Sequence, residues 1–218
     1  MSRLDLQAVI WDFGGVLTSS PFEAFNRYEA ERGLPTDFIR GVNAVNGDTN
    51  AWAQFERNDI DAAAFDALFR EEAVSRGHDV PGADVLGLLS GSIRQPVVKA
   101  LKTCKARVKT GCITNNVKSG KGAGMAIDAD KAKAVADIMT VFDHVIESSK
   151  IGLRKPDPRI YALMCEALDI DPEHCIYIDD LGINLKPARA MGMTTIKALS
   201  EAQILTDLAA VTGFEFEH

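Results

Sequence analysis

Ala8-Val9-Ile10-Trp11-Asp12-Phe13-Gly14-Gly15-Val16-Leu17-Thr18 is an apolar run that ends on an acid and breaks into two glycines. Such a pattern is a buried strand delivering a carboxylate to a loop. Sheets of α/β proteins collect their ligands at the carboxyl ends of parallel strands, and glycines there let backbone amides approach an anion closely. Further along come Ile113-Thr114-Asn115-Asn116, Arg154-Lys155-Pro156-Asp157-Pro158 and Cys175-Ile176-Tyr177-Ile178-Asp179-Asp180. Strand ends and loop corners therefore carry, in order, Asp, Thr, Lys and Asp-Asp.

Around these pieces, short apolar runs alternate with helical patterns. Val108 to Thr114, His144 to Glu147, Cys175 to Asp179 and Thr194 to Ala198 read as strands, which predicts an α/β fold with a parallel sheet and helices on both faces. One helix starts at the Asp157 cap with Pro158 behind it, and the helix after Asn184 stops at Gly192. Residues 21–90 lack strand runs and place Phe22, Phe25 and Tyr28, then Phe65, Leu68 and Phe69, at helical spacing. This predicts a helical cap inserted after the first strand, with the core formed by residues 1–20 and 91–218. Lys118-Ser119-Gly120-Lys121-Gly122-Ala123-Gly124 reads as a basic surface loop.

Of the 218 residues, 46% are hydrophobic and 25% charged, an ordinary globular composition that argues against wholesale disorder. The net charge of −7 repels a polyphosphate backbone, so nucleic acid is not expected as a partner. No run of about 18 apolar residues is present, nor a basic-then-apolar start, so the expectation is a cytoplasmic protein without a membrane association. Cys104, Cys112, Cys165 and Cys175 have no metal-ligand spacing and are expected to be buried free thiols. His78, His144, His174 and His218 pair with no candidate Ser or Cys, which argues against a serine or cysteine hydrolase.

The four motif pieces resemble the motif set of the haloacid dehalogenase superfamily, whose members mostly transfer phosphoryl groups through an aspartyl phosphate. The likeness is closest to the N-terminal phosphatase-like domain of soluble epoxide hydrolases, through Ile146-Glu147-Ser148-Ser149, Lys155-Pro156-Asp157-Pro158-Arg159-Ile160-Tyr161 and Asp179 to Arg189. The resemblance implies a Rossmann-like core, a cap that opens and closes over the site, and Mg²⁺ as cofactor. It also implies a main-chain metal ligand at Gly14 and a loop-fixing role for Asn184, a residue that could equally cap the following helix. One position departs from the pattern. The superfamily usually carries a second Asp two residues after the nucleophile, and here that residue is Gly14.

Within that frame each residue type suits a task. Asp12 is the expected nucleophile, since a carboxylate can attack phosphorus when a metal neutralises the phosphoryl oxygens. Mg²⁺ favours hard oxygen ligands and keeps several waters, so Asp12, Asp180 and the Gly14 carbonyl suffice, with Asp179 as accessory. Adjacent carboxylates at a buried strand end repel unless a cation intervenes or one faces solvent. Thr114 and Asn115 are the expected substrate-binding pair. Lys155, aimed by the proline turn, serves both the phosphate and the charge of Asp12, whereas Arg154 reads as a solvated neighbour. Trp52 reads as a packing residue or as lining of the cap's inner face.

The resulting expectation is a Mg²⁺-dependent phosphatase acting on a small phosphorylated metabolite, as a monomer or homodimer. Two rivals remain open: a metal-independent dehalogenase, favoured by Gly14 but opposed by the Asp179-Asp180 pair, and a phosphate- and metal-binding regulatory module with little turnover. Asp48 or Asp59 of the cap could stand in for the missing acid.

Overall fold

The computed structural model describes residues 6–116 and 129–216. The loop expected at 118–124 lies outside the described residues. Strands β1 (Ala8–Trp11), β2 (Lys109–Thr114), β3 (His144–Glu147), β4 (Cys175–Asp179) and β5 (Thr194–Lys197) form one parallel sheet in the order β3-β2-β1-β4-β5. β1 lies in the middle, with Trp11 opposite Cys112 on one side and Ile178 on the other. That register sets the carboxyl ends of β1, β2 and β4 side by side, and the chain's successive crossovers depart to opposite sides of β1, a position that opens a crevice for ligand.

Alternation along the strands sorts the core into two faces. Val9 and Trp11 of β1, with Cys112, Ile176, Ile178 and Ile196, pack against helices α6 (Gln95–Lys105), α7 (Ala129–Met139) and α11 (Glu201–Thr212). Ala8 and Ile10, with Ile113 and Tyr177, pack against α9 (Pro158–Leu168) and α10 (Gly182–Ala190). The expected strand ends agree within one residue, and the helix before Gly192 begins at Gly182, two residues ahead of Asn184. All four cysteines are buried and free, and burial pushes the Cys104 thiol up to about 12.

Between β1 and β2 run α1 (Pro21–Arg32), α2 (Phe38–Ala44), α3 (Ala51–Arg57), α4 (Ala62–Ser75) and α5 (Gly82–Gly87). They bury a core of their own around Phe25, Phe55, Phe65 and Phe69, with the Phe55 and Phe65 rings stacked at 4.7 Å between centroids. Burying one such ring contributes about 1.5–3 kcal/mol, enough across the cluster to hold five short helices that could not persist singly. Trp52 belongs to this cluster, edge-on to Phe65. Side-chain caps from Ser20, Asn50 and Asp61 begin α1, α3 and α4. The chain enters and leaves this layer through adjacent segments: Thr18 bridges Ile93 antiparallel, and the Ser19 amide donates to the Ser92 carbonyl at 2.7 Å. Two short connectors remain: α8 (Ser148–Ile151) follows β3 directly, and a single 3-10 turn (Pro172–His174) leads into β4.

Candidate active site

Asp12 follows β1, its backbone amide still paired to the Ile178 carbonyl at 2.8 Å, so the side chain is carried to the mouth by the last rung of the ladder. Oδ1 accepts the Phe13 amide at 2.6 Å and the Lys155 ammonium at 2.8 Å, while no described residue donates to Oδ2. The carboxylate is thus anchored at one oxygen and open at the other.

Lys155 is 1% exposed and bridges Asp12 Oδ1 and Asp179 Oδ2 at 2.8 Å each. Burial works against its charge, but the carboxylates of Asp12 and Asp179 outweigh burial and hold the ammonium well above the usual lysine range. Asp179 is fully buried and saturated. Oδ1 accepts the Leu181 amide at 2.8 Å, Oδ2 accepts Lys155 and the Tyr177 hydroxyl at 2.5 Å, and the Asn184 amide reaches both oxygens at 3.1 Å. Asn184 therefore fixes Asp179 directly and does not cap its helix.

Asp180 is less enclosed, and its Oδ2 accepts the Ser20 hydroxyl at 3.1 Å. Burial, and then the neighbouring Asp179 charge, lift its carboxyl to about 6; burial likewise raises Asp12, against the pull of Lys155. Asp12, Asp179 and Asp180 each place an oxygen within 4.8 Å of the others. With all three ionised, three negative charges face one ammonium, leaving −2 among largely buried side chains, a deficit that one divalent cation would balance. The donor set is all oxygen, which suits a hard cation, although the saturation of Asp179 leaves Asp12 and Asp180 as the carboxylates with room for one.

The two glycines of the loop differ. Gly15 has φ +77°, and a Cβ there would fall 2.2 Å from Oδ2 of Asp180, so only glycine lets this backbone pass the acid. Gly14 lies outside the left-handed region, and a Cβ on it would meet no atom within 4 Å.

Thr114 is buried at the end of β2, the strand paired directly with β1. Asn115 differs from expectation. Its Oδ1 accepts the Lys155 amide at 2.9 Å, and its Nδ2 donates to the Lys155 carbonyl at 3.1 Å and to Glu56 Oε2 at 3.4 Å, so the side chain grips the lysine's own backbone and leaves no free donor for a substrate. Arg154, read from sequence as solvated, is only 18% exposed at its side chain and pairs with Glu56 of α3 at 2.6 Å. Asp48 and Asp59, the acids of the helical layer expected as stand-ins at Gly14, are exposed, and Asp59 is held by Arg57 at 2.8 Å.

Sequence reasoning passed over Tyr177, Ser20, Arg94 and Glu56. Tyr177 was legible, because residues two apart in a strand share a face and it precedes Asp179 by two. Ser20 was partly legible as an N-cap. Arg94, whose Nη1 donates to the Gly15 carbonyl at 2.8 Å, and Glu56 make contacts across long sequence separations that no local pattern announces.

A family model for haloacid dehalogenase-like hydrolases matches residues 6–192. The chain belongs to that family. This hydrolase is 30% identical to Bifunctional epoxide hydrolase 2 of Mus musculus over 226 residues, taking in 97% of its own chain but only 40% of that relative's length. It is 31% identical over 199 residues to Phosphatase MT3486 of Mycobacterium tuberculosis (strain CDC 1551 / Oshkosh), covering 87% of this chain and 86% of that one. In fold the hydrolase is similar to HAD family enzyme bt-2542 of Bacteroides thetaiotaomicron, solved in complex with magnesium and inorganic phosphate, with TM-score 0.56, 20% identity and coverage of 88% and 93%. Among the hydrolase's described residues no helix is long and apolar enough to cross a membrane.

Proposed function

We propose that this hydrolase is a Mg²⁺-dependent phosphatase that cleaves a small phosphate monoester through an aspartyl phosphate on Asp12. The observation that carries the reading is the charge imbalance at the sheet's mouth, where an anchored, half-open carboxylate shares one ammonium with Asp179 while Asp180 stands beside it. Asp12, Asp180 and the Gly14 carbonyl would hold the Mg²⁺, which would neutralise the non-bridging phosphoryl oxygens.

Asp12 attacks phosphorus as the ester P–O bond breaks, and the displaced oxygen leaves with the bonding pair. Water then attacks phosphorus, the aspartyl P–O bond breaks, and Asp12 is regenerated with release of inorganic phosphate. Lys155 keeps its proton throughout, orienting Asp12 and facing the charge that develops on the phosphoryl group. The Thr114 hydroxyl is the side-chain donor we assign to a phosphoryl oxygen. Gly14 brings no carboxyl to protonate the leaving oxygen, so water supplies that proton and acidic leaving groups are favoured. The Gly14 feature also favours a second reading, a halide-displacing hydrolase, because halide leaves unprotonated. Against it stands the carboxylate cluster, which a metal-free displacement at carbon would not use.

The same reading takes the enzyme as a cytoplasmic monomer or homodimer serving a small phosphorylated metabolite rather than nucleic acid or a membrane. The test is a phosphate-release screen across aryl, acyl and alkyl phosphates with and without Mg²⁺, run beside halide release from 2-haloacids. Mg²⁺-dependent phosphate release is the expected result. Halide release that persists in chelator would replace the reading with the dehalogenase. Thermal stabilisation by Mg²⁺ and phosphate analogues with no turnover would replace it with a binding module.

A further inference from the structure

We infer that Glu56 is a positioning residue that makes the placement of Lys155 depend on the docking of the α1–α5 layer onto the sheet, an inference that rests on the catalytic role proposed for Lys155. Glu56 is 7% exposed near the end of α3, and it touches the sheet domain at three places: Asn115 after β2, Ser148 at the start of α8, and Arg154. Its Oε2 accepts Arg154 Nε at 2.7 Å and Nη2 at 2.6 Å, and Asn115 Nδ2 at 3.4 Å. Its main-chain carbonyl accepts the Ser148 hydroxyl at 2.8 Å, and that hydroxyl in turn accepts the Asn116 amide at 3.0 Å. Arg154 extends the clasp by donating Nη1 to the Gly47 carbonyl at 2.8 Å.

These contacts converge on one residue. Asn115 holds both the amide and the carbonyl of Lys155, and Arg154 is the residue immediately before it, so Glu56 grips Lys155 from across the mouth and from along the chain. From that held backbone the lysine's ammonium reaches Asp12 and Asp179 at 2.8 Å each. When the helical layer lifts, Glu56 goes with it, Arg154 loses its counter-charge in a half-buried place, and the Asn115 amide loses one of its two acceptors. Displacements of about an ångström at a catalytic group cost on the order of 100-fold in rate, so a loosened Lys155 backbone is sufficient to slow the chemistry by a comparable factor. Turnover is in this way fastest in the docked state.

Glu56→Ala and Glu56→Gln test the inference, with Arg154→Met as an independent break of the same clasp should Glu56→Ala fold poorly. Two readouts are taken on the full chain: amide hydrogen exchange at Lys155, with the Ile178 amide as a control for global opening, and kcat and KM on an aryl phosphate. Glu56→Ala is expected to speed exchange at Lys155 with Ile178 unchanged, and to lower kcat roughly 10- to 100-fold with a smaller change in KM. Glu56→Gln, which keeps an acceptor for Asn115, is expected to lie between it and the wild type. A purely structural contact would lower the melting temperature and leave kcat of the folded protein intact, which overturns the inference. Wild-type exchange at Lys155 in both Glu56→Ala and Arg154→Met overturns it as well. If the wild type releases no phosphate at all, the proposed function fails, and the exchange experiment still decides the coupling.

Discussion

The Nζ of Lys155 stands 2.8 Å from Oδ1 of Asp12, in surroundings that leave the lysine 1% exposed. A buried ion pair of this kind is asymmetric in its consequences, because deleting the cation strands two acids and deleting the nucleophile strands none.

Asp12→Asn and Lys155→Met are therefore expected to agree in activity and part in stability. Both should fall below about 1% of wild-type turnover, since loss of a nucleophile or of its charge partner is rarely tolerated. Asp12→Asn keeps an oxygen for Lys155 and removes a carboxylate whose ionisation burial already opposes, so its melting temperature should match or exceed the wild type. Lys155→Met leaves Asp12 and Asp179 without their shared cation and should cost about 3–5 kcal/mol. Turnover assays and denaturant unfolding check the pair, and an Asp12→Asn protein that keeps its activity would remove the covalent mechanism.

Asp180 should leave a pH signature on the metal-free protein. Its folded value of about 6 lies above the ordinary 3.8, so the fold binds this proton more tightly than the unfolded chain, and the associated stability is complete near the lower value and lost as pH rises through the upper. Asp157, lowered by its hydrogen bond from Arg159, trends the opposite way, so the measurement is the difference in melting temperature between wild type and Asp180→Asn. That difference should widen, with the wild type falling behind, as pH goes from about 4 to about 6, and added Mg²⁺ should close it. A flat difference profile would contradict the assignment.

Metal response should divide the acid pair. Asp180→Ala is expected to abolish Mg²⁺-induced thermal stabilisation. Asp179→Ala should keep a weakened response while unfolding more easily, because it orphans the Leu181 amide, the Tyr177 hydroxyl and the Asn184 amide. Ca²⁺, which accepts looser geometry and more oxygens, is expected to inhibit by engaging both oxygens of Asp12. Equal loss of Mg²⁺ stabilisation in the two variants would reverse the roles given to Asp179 and Asp180.

The glycine pair should respond oppositely to a side chain. Gly14→Asp has open space and an unstrained backbone, so a folded protein is expected, and a gain on alkyl phosphates larger than on aryl ones, since general acid help typically contributes about 10²–10⁴-fold where the leaving group needs a proton. Gly15→Ala drives a methyl into the Asp180 carboxylate from a left-handed backbone and should destabilise by more than about 1 kcal/mol. If a folded Gly14→Asp shows no alkyl gain, or if the wild type already prefers alkyl esters, the proton comes from elsewhere.

The strands were legible because their apolar runs end on chemistry-bearing residues, so that β3 and β4 begin and end where the sequence pattern does. Asp12, Lys155, Asp179 and Asp180 were legible as types because the sheet's parallel register gathers strand ends, and they do meet. What escaped depended on partners far away in the chain. Arg154 looks like any arginine beside a proline turn until Glu56, 98 residues earlier, is seen against it. Asn115 offered a suitable amide, but nothing local revealed that a neighbouring backbone would occupy it.

The bridge between Thr18 and Ile93 brings the two ends of the inserted helices together in space. Closing a loop whose ends already meet costs an entropy that grows only with the logarithm of its length, about 0.6 kcal/mol for each doubling. The cost of joining the sheet's strands therefore depends little on the length of chain strung between those residues. Helices can be lengthened, added or exchanged there at small thermodynamic cost, so the layer that reaches the sheet's loops through Glu56 and Arg154 is also the part freest to diverge in length.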